Sequence, residues 1–476
     1  SDFMEYPVSC NKDCGGGCPL TAVVEDGTIT GIKDSDRRGP WMNGCIRGYR
    51  AHKLTCHPYR LQAPLIRSKS TGRLLSAGWE DALDFTAQRL AEIKKRYGPE
   101  SVMRLGGSGA CRGALHNTNR LARRFLSLYG GFTETTGSYS SAAVTFATPF
   151  VYGTVNAAVD AVVFSRSECI ILLGANIADL RFGPELLNRL IDARRRGVRI
   201  IVIDPRKTAT VGRLDAEWIK IKPGTDAAFL AGVIFDLCEA GGIDKAYIQR
   251  YCTGFEDFKG WLYDAPRKTP EWASDICGIP AGRIRYIADI YRKHKPAALI
   301  PGLSIQRNLG GEDSARMAMV LQSVTGNTGV PGGSSGSNIW GPMPHPRCGR
   351  ISESPACPAP PKKRFLPVYS WADAILNKDE QLPVKAAYVC GGNYISQGAD
   401  IHKSIKAFNS LEFSVTHDFF LTPTAERSDV VLPAADFLER NDIVFPEGNF
   451  LLYSAQAVNP PEGVTTDYEI FSLLAE

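Results

Sequence analysis

Long runs of one charge are missing from this sequence. Lys and Arg number 55 against 50 Asp and Glu, a formal net charge of +5. The densest basic stretch, DARRRGVR at 192–199, is short and adjoins a helix end, so it does not serve as a nucleic-acid arm. Long apolar runs are missing too. DAVVFSRSECIILLGA is broken by charges, which leaves no segment able to cross a bilayer as a helix. Ser1 is not followed by a charged and then an apolar region, so no export leader is visible. There is no Walker A sequence, and no G-x-G-x-x-G opens a helix, which disfavours NAD and FAD. What remains is ordinary: 476 residues, 44% hydrophobic and 22% charged, enough for a substantial core and two to four domains.

Cysteine is also sparse, at 13, and the odd number does not suit a disulfide framework, which belongs to small secreted domains. Nine are scattered singly (Cys56, Cys111, Cys169, Cys238, Cys252, Cys277, Cys348, Cys357 and Cys390), and most of them read as small core hydrophobes. The other four open the chain as Cys10-x3-Cys14-x3-Cys18, with Cys45 further on. Structural zinc sites use paired C-x2–4-C knuckles, whereas three clustered cysteines and a distant fourth suit the corners of a cubane iron–sulfur cluster. Gly15, Gly16 and Gly17 let the loop turn tightly and aim its amides at the sulfides. Zinc and disulfides remain the competing readings.

Residues 20–34 read as a hairpin turning at Asp26 and Gly27. In the following helical stretch, Ser76 is a candidate cap. Trp79, Ala82, Leu83, Leu90, Ile93 and Tyr97 share one face, and Gly98-Pro99 forms the stop. From 168 onward, ECIILLGAN, PELLNRLIDARRRG and VRIIVIDPR make a β-α-β unit of a parallel sheet. A second unit runs through KAAYVCGGN, HKSIKAFNS and LEFSVTHDFFLTPT. Each places a small-residue turn and an Asn after one strand and an Asp after the next, where open parallel sheets bind ligands. Two such copies suggest two nucleotide-like ligands in pseudo-equivalent halves. Taken singly, each Asp reads as well as a cap or turn residue.

The four cysteines and CIRGYRAHKLTCHPYRLQAPL begin a resemblance that extends over nearly the whole chain. IDPRKTATVGRLDAEWIKIKPGTDAA (203–228), KTPEWASDICGIPAGRI, TGNTGVPGG (325–333), GGN (391–393) and DFFLTPTAERSDVVLPAADFLER (418–440) carry it on. These blocks, in this order, resemble the molybdopterin oxidoreductases of the dimethyl sulfoxide reductase family, most of all the catalytic subunits of membrane-associated dimethyl sulfoxide reductases. The fold implied is α/β. A small N-terminal iron–sulfur β domain (1–62) precedes two interleaved Rossmann-like parallel-sheet domains, one formed by 63–147 with 366–476 and the other by 148–365. The family's C-terminal barrel domain is expected to be missing from this chain. TTDYEIFSLLAE reads as a closing helix with Ile470, Leu473 and Leu474 inward, and the chain is expected to be a fragment or one half of a split subunit, whose missing domain another chain or segment supplies.

The resemblance implies molybdenum or tungsten between two molybdopterin guanine dinucleotides, with a [4Fe-4S] cluster on Cys10, Cys14, Cys18 and Cys45. Gly174, Asn176, Asp204, Arg206, Gly224 and Asp226 would hold one dinucleotide; Gly392, Asn393, Asp418 and Thr422 would hold the other. Arg47 takes the place of the basic residue between cluster and pterin, with a solvated surface arginine as the alternative. GGFTETTGSYSSAAV (130–144) nominates Ser140 as the catalytic metal ligand, with Ser138 and Ser141 as rivals. A serine ligand implies oxygen-atom transfer, reducing a sulfoxide or amine N-oxide in anaerobic respiration with electrons from the cluster. Trp340 and His345 are candidate funnel residues. The loop GGSGACRG (106–113) lacks the Tyr and Trp of the soluble sulfoxide reductases. Implied partners are a ferredoxin-like iron–sulfur subunit and a membrane anchor, and the implied location is extracytoplasmic, at the cytoplasmic membrane. Another molybdopterin-enzyme reaction (oxyanion reductase, dehydrogenase or hydratase) and a non-catalytic electron-transfer subunit are the alternatives.

Overall fold

The computed structural model describes residues 2–12, 14–107, 112–179, 182–344, 361–377, 382–445 and 450–476. His345, Cys111, Cys348 and Cys357 lie outside the described residues. The chain forms two compact units, Ser1–Gly137 with Gly349–Glu476, and Ser138–Cys348. Among the described residues, no helix is long and apolar enough to cross a membrane.

The first unit opens with an antiparallel three-stranded sheet of Phe3–Ser9, Pro19–Glu25 and Thr28–Asp34. The hairpin turns at Asp26 (φ 48°) and Gly27 (φ 76°), the paired left-handed conformation that a two-residue turn between twisted strands requires. The unit's main sheet runs Lys362–Pro367, Gly131–Thr136, Val102–Gly106, Ala386–Cys390, Phe413–Asp418, Val430–Pro433, Leu65–Arg67, Leu74–Ser76. Its first six strands are parallel and its last two antiparallel. Ala386–Cys390 is buried throughout, as a strand covered on both faces must be.

The second unit holds a four-stranded parallel sheet in the order Glu217–Ile219, Arg199–Ile203, Cys169–Leu173, Ala297–Pro301. Cys169–Leu173 is at most 1% exposed, and each buried Ile or Leu contributes about 1.5–3 kcal/mol. Because the chain goes first to one side of this strand and later to the other, its carboxyl end is a topological switch point. Val102–Gly106 and Ala386–Cys390 flank the corresponding point in the first unit.

Three expectations change. Helix Trp79–Tyr97 starts from Gly78, with no side-chain cap, while Ser76 completes a strand. In helix Asp467–Ala475, Ile470 and Phe471 point inward and Leu473 is 47% exposed, because Phe125 and Tyr388 take the Phe471 ring. The expected boundaries at 147/148 and 365/366 fall inside helix Ala142–Tyr152 and strand Lys362–Pro367. That helix buries Val144 and Ala147 against Ala315 and Met319 of the second unit.

Candidate functional site

Pairing of Ser9 with Pro19 places Cys10 and Cys18 opposite each other just past the strand ends, where the Cys10 amide donates to the Cys18 carbonyl at 3.0 Å. Ser9 Oγ donates to the Gly17 carbonyl at 3.0 Å and closes the loop. Cys45 precedes the short helix Ile46–Tyr49, where a Cβ on Gly48 would lie 3.8 Å from Cys10 Sγ. Cys10, Cys14 and Cys18 are buried and Cys45 is half-buried. Burial pushes the Cys10 thiol up to about 12, and the neighbouring Cys14 and Cys45 add to the rise. Burial raises Cys14 and Cys18 as well. Amides of Lys12 and Gly16 oppose this by donating to the sulfurs of Cys10 and Cys14. The buried thiols of Cys10, Cys14 and Cys18 are therefore held protonated unless a positive centre takes up their charge. Among the described residues, no three His, Cys, Asp or Glu converge on the position of a single ion. Arg47 is exposed and near enough to Cys14 to oppose the rise of its thiol.

The two switch points repeat one arrangement. In the second unit, Asn176 Oδ1 accepts from Thr210 Oγ1 at 2.6 Å, and Thr210 Oγ1 accepts from the Ala178 amide at 3.1 Å. In the first unit, Asn393 Oδ1 accepts from Thr424 Oγ1 at 2.7 Å, and Thr424 Oγ1 accepts from the Ile395 amide at 3.1 Å. Asp204 Oδ1 accepts from the Arg206 amide at 3.1 Å, and Asp418 Oδ1 from the Phe419 amide at 2.7 Å. With Oδ1 occupied, each Asn is held with its amide nitrogen as a donor. Neighbouring strand ends touch at glycine. A Cβ on Gly302 would sit 1.9 Å from the Gly174 carbonyl oxygen, and one on Gly107 would sit 2.0 Å from that of Gly391. Such backbone concavities leave room for a phosphate beside main-chain amides. Thr210, Thr424, Gly107 and Gly302 were missed in the sequence. The readable signal for the threonines was D-x3-T-x-T, present as Asp204, Thr208, Thr210 and again as Asp418, Thr422, Thr424.

Gly392, Asn393, Asp418 and Thr422 line one cavity of about 350 Å³ in the first unit, together with Asn11 and Lys12 of the cysteine loop. Burial pushes the Asp418 carboxyl up to about 6. Asn11 and Arg440, both 5% exposed, also face this cavity. Both polar atoms of the Asn11 side chain and Arg440 Nε have no protein partner. In the second unit Thr208 Oγ1, the counterpart of Thr422, is likewise buried and unpartnered. Buried polar atoms of this kind call for a ligand's hydrogen bonds. Arg206 is exposed beside Asp204. A Cβ on Gly224 would meet Asn308 at 3.6 Å. Asp226, 6% exposed, opens helix Asp226–Ala240. Burial, and then the charge of Asp204, pushes its carboxyl up to about 6.

Ser140 lies half-buried in the second unit, before helix Ala142–Tyr152. Its carbonyl accepts from Gln306 Nε2 at 2.6 Å and Arg307 Nε at 3.0 Å. Trp340 stacks on Phe182 with centroids 4.9 Å apart and packs against the sheet's core, so the structure gives it a packing role.

Residues 60–476 match the family model described as "Molybdopterin oxidoreductase". The chain is 30% identical over 471 residues to the putative dimethyl sulfoxide reductase chain YnfE of Escherichia coli, covering 89% of this chain and 57% of that one. It is 28% identical over 522 residues to dimethyl sulfoxide reductase DmsA of the same organism, covering 98% and 63%. To the dimethyl sulfoxide/trimethylamine N-oxide reductase of Rhodobacter capsulatus it is 31% identical over 513 residues, covering 96% and 61%. Thus it spans less than two thirds of the length of these relatives. Among solved structures, acetylene hydratase from Pelobacter acetylenicus aligns with a TM-score of 0.79 at 22% identity, over 99% of this chain and 68% of that one, a likeness of fold.

Proposed function

The chain belongs to the molybdopterin oxidoreductase family, and from that premise we propose that it is the catalytic part of a reductase transferring oxygen from a sulfoxide or amine N-oxide. The observation that carries the reading is the repeated Asn–Thr–Asp arrangement at the two switch points. It provides two pseudo-equivalent cradles for the two guanine dinucleotides of one cofactor. The relatives' names support the substrate class.

The residues fit that cofactor. Asp226 offers two acceptor oxygens to the ring N–H and amino group of a guanine. Asn393 presents its amide donor, Asn176 presents the amide hydrogen left after its nitrogen donates to Asp179 Oδ2 at 2.8 Å, and the glycine contacts admit pyrophosphate. Asn11, Arg440 and Thr208 supply polar atoms that have no protein partner. Ser140 is the metal ligand, and Gln306 and Arg307 fix its backbone. When bound, the molybdenum or tungsten centre supplies two-electron oxygen-atom chemistry. Cys10, Cys14, Cys18 and Cys45 would hold a [4Fe-4S] cluster, which would supply one-electron transfer, with Arg47 near Cys14. A ferredoxin-like iron–sulfur subunit, a membrane anchor, a segment completing the length of the relatives and an extracytoplasmic location at the membrane complete the proposal.

The test is the composition of the native protein, then turnover. About four irons, one molybdenum or tungsten and two guanine nucleotides per chain are expected. Reduced viologen should be oxidised on adding dimethyl sulfoxide or trimethylamine N-oxide, and Ser140→Ala should abolish this. Iron without guanine nucleotide overturns the two-cradle reading. A full cofactor complement with no turnover of either substrate overturns the substrate class.

A further inference from the structure

Ser138, Ser140 and Ser141 are ordered by hydrogen bonds that distinguish their roles. Ser138 Oγ lies 3.1 Å from Ser140 Oγ and 3.1 Å from Ser141 Oγ, and it accepts the Ser141 amide at 3.0 Å. A serine hydroxyl has one hydrogen to give and two lone pairs to receive with. The Ser141 amide occupies one lone pair of Ser138, and the Ser141 hydroxyl can occupy the other. The hydrogen of Ser138 is then left for Ser140 Oγ. Metal binding enforces the same direction, because a serine ligand has lost its proton to solvent and its oxygen can only accept.

The backbone beneath is held by a different residue. Gln306 is 5% exposed, and its carboxamide is fully used. It donates to the carbonyls of Ser140 and Leu303 at 2.6 and 2.7 Å, and accepts the amides of Ala143 and Val144 at 3.1 and 3.2 Å. Gln306 therefore sets where Ser140 is, and Ser138 acts on the electrons of its oxygen.

Resting on the assignment of Ser140 as metal ligand, we propose that Ser138 is a positioning residue whose hydroxyl donates to the metal-bound oxygen of Ser140 and thereby raises the reduction potential of the metal. A hydrogen bond to an alkoxide withdraws electron density from it. The oxygen then donates less to the metal, and the oxidised metal loses more stabilisation than the reduced one. Removing the donor reverses this.

The experiment is a redox titration of the metal in the native holoprotein, with X-ray absorption to count its light-atom ligands. Ser138→Ala should lower the metal's midpoint potential while the ligand count stays unchanged. A tenfold change in the oxidised-to-reduced ratio at fixed poise, about 59 mV for one electron, is expected. Ser138→Thr, which keeps the hydroxyl, should restore the wild-type potential, and Ser141→Ala should leave it in place. A merely structural role would not separate Ala from Thr in this way. If Ser140→Ala removes no oxygen ligand, the ligand assignment fails and this proposal fails with it. If Ser140→Ala removes the ligand but Ser138→Ala and Ser138→Thr share the wild-type potential, this proposal alone is overturned.

Discussion

Asp226→Asn should stabilise the ligand-free protein while abolishing its hold on guanine. In the native chain burial, followed by the charge of Asp204, raises this carboxyl from 3.8 to about 6. At about 1.4 kcal/mol per pH unit, keeping it ionised at neutral pH costs the native state about 3 kcal/mol. The native state binds more protons than the unfolded chain between pH 3.8 and about 6, so stability falls as pH rises through that window and is retained below it. Asparagine removes the charge at nearly constant shape. The favourable interaction of the carboxylate with the backbone at the start of helix Asp226–Ala240 is already contained in that net shift. The net gain is about 3 kcal/mol at pH 7.5 and close to nothing at pH 4. For a unit of this size, it raises the thermal transition by about 6–12 °C. The raised Asp418 carboxyl belongs to the other unit and is common to both proteins, so it cancels in the difference. Calorimetry of ligand-free wild type and variant at several pH values measures the effect. An equal difference at pH 4 and pH 7.5, or a variant less stable at both, refutes the reasoning. GDP binding supplies the opposing sign: wild-type affinity should fall about tenfold per pH unit below 6, while the variant binds weakly at every pH.

Thr210→Val and Thr424→Val should each cost about 1 kcal/mol by leaving an asparagine oxygen without its donor. Their effects should add in the double variant, because the two threonines belong to separate compact units and share no hydrogen-bond partner, and urea unfolding checks both points. Gly302→Ala drives a Cβ to 1.9 Å from the Gly174 carbonyl oxygen and should destabilise by more than about 2 kcal/mol. Gly224→Ala, whose Cβ would meet Asn308 at an ordinary 3.6 Å but at φ +75°, should cost only about 1 kcal/mol, so the order of their melting temperatures is the test. Arg60 and Glu439 form a buried two-pronged pair, with Nη2 to Oε2 at 2.6 Å. Arg60→Met should cost about 3–5 kcal/mol, and adding Glu439→Leu should return much of it, measured as a double-mutant cycle.

The elements most legible in the sequence were those whose signal is local. Cys169–Leu173 and Ala386–Cys390 are continuous apolar runs because both faces of each strand are covered. The Asp26-Gly27 turn was visible because few residue pairs accept two consecutive left-handed conformations. The edges of elements were less legible. Ser76 has the chemistry of a cap, yet it pairs with Leu65 at the end of the main sheet. Leu473 was assigned inward by residue type, but the inward position belongs to Phe471, whose ring meets Phe125 from another helix. Neither outcome follows from neighbouring residues, because a partner distant in the chain decides each.

The candidate site shows the same division more sharply. Asn176 and Asp204 stand at strand ends, which apolar periodicity locates, and so do Asn393 and Asp418. Their threonine partners stand one helix further on, and only comparison of the two halves, D-x3-T-x-T against D-x3-T-x-T, exposes them. Gln306 had no such counterpart. It lies 166 residues beyond Ser140, in a 3₁₀ turn with no unusual composition. Its importance arises only when the fold delivers one buried carboxamide to two carbonyls and two amides together. Burying that amide is tolerable only with every hydrogen bond made, so its four partners are held in one geometry. Rigidity at Ser140 is thus a property of long-range closure, whereas the chemistry of its hydroxyl is a property of the residue itself. A sequence displays the second directly, and the first emerges only from the assembled fold.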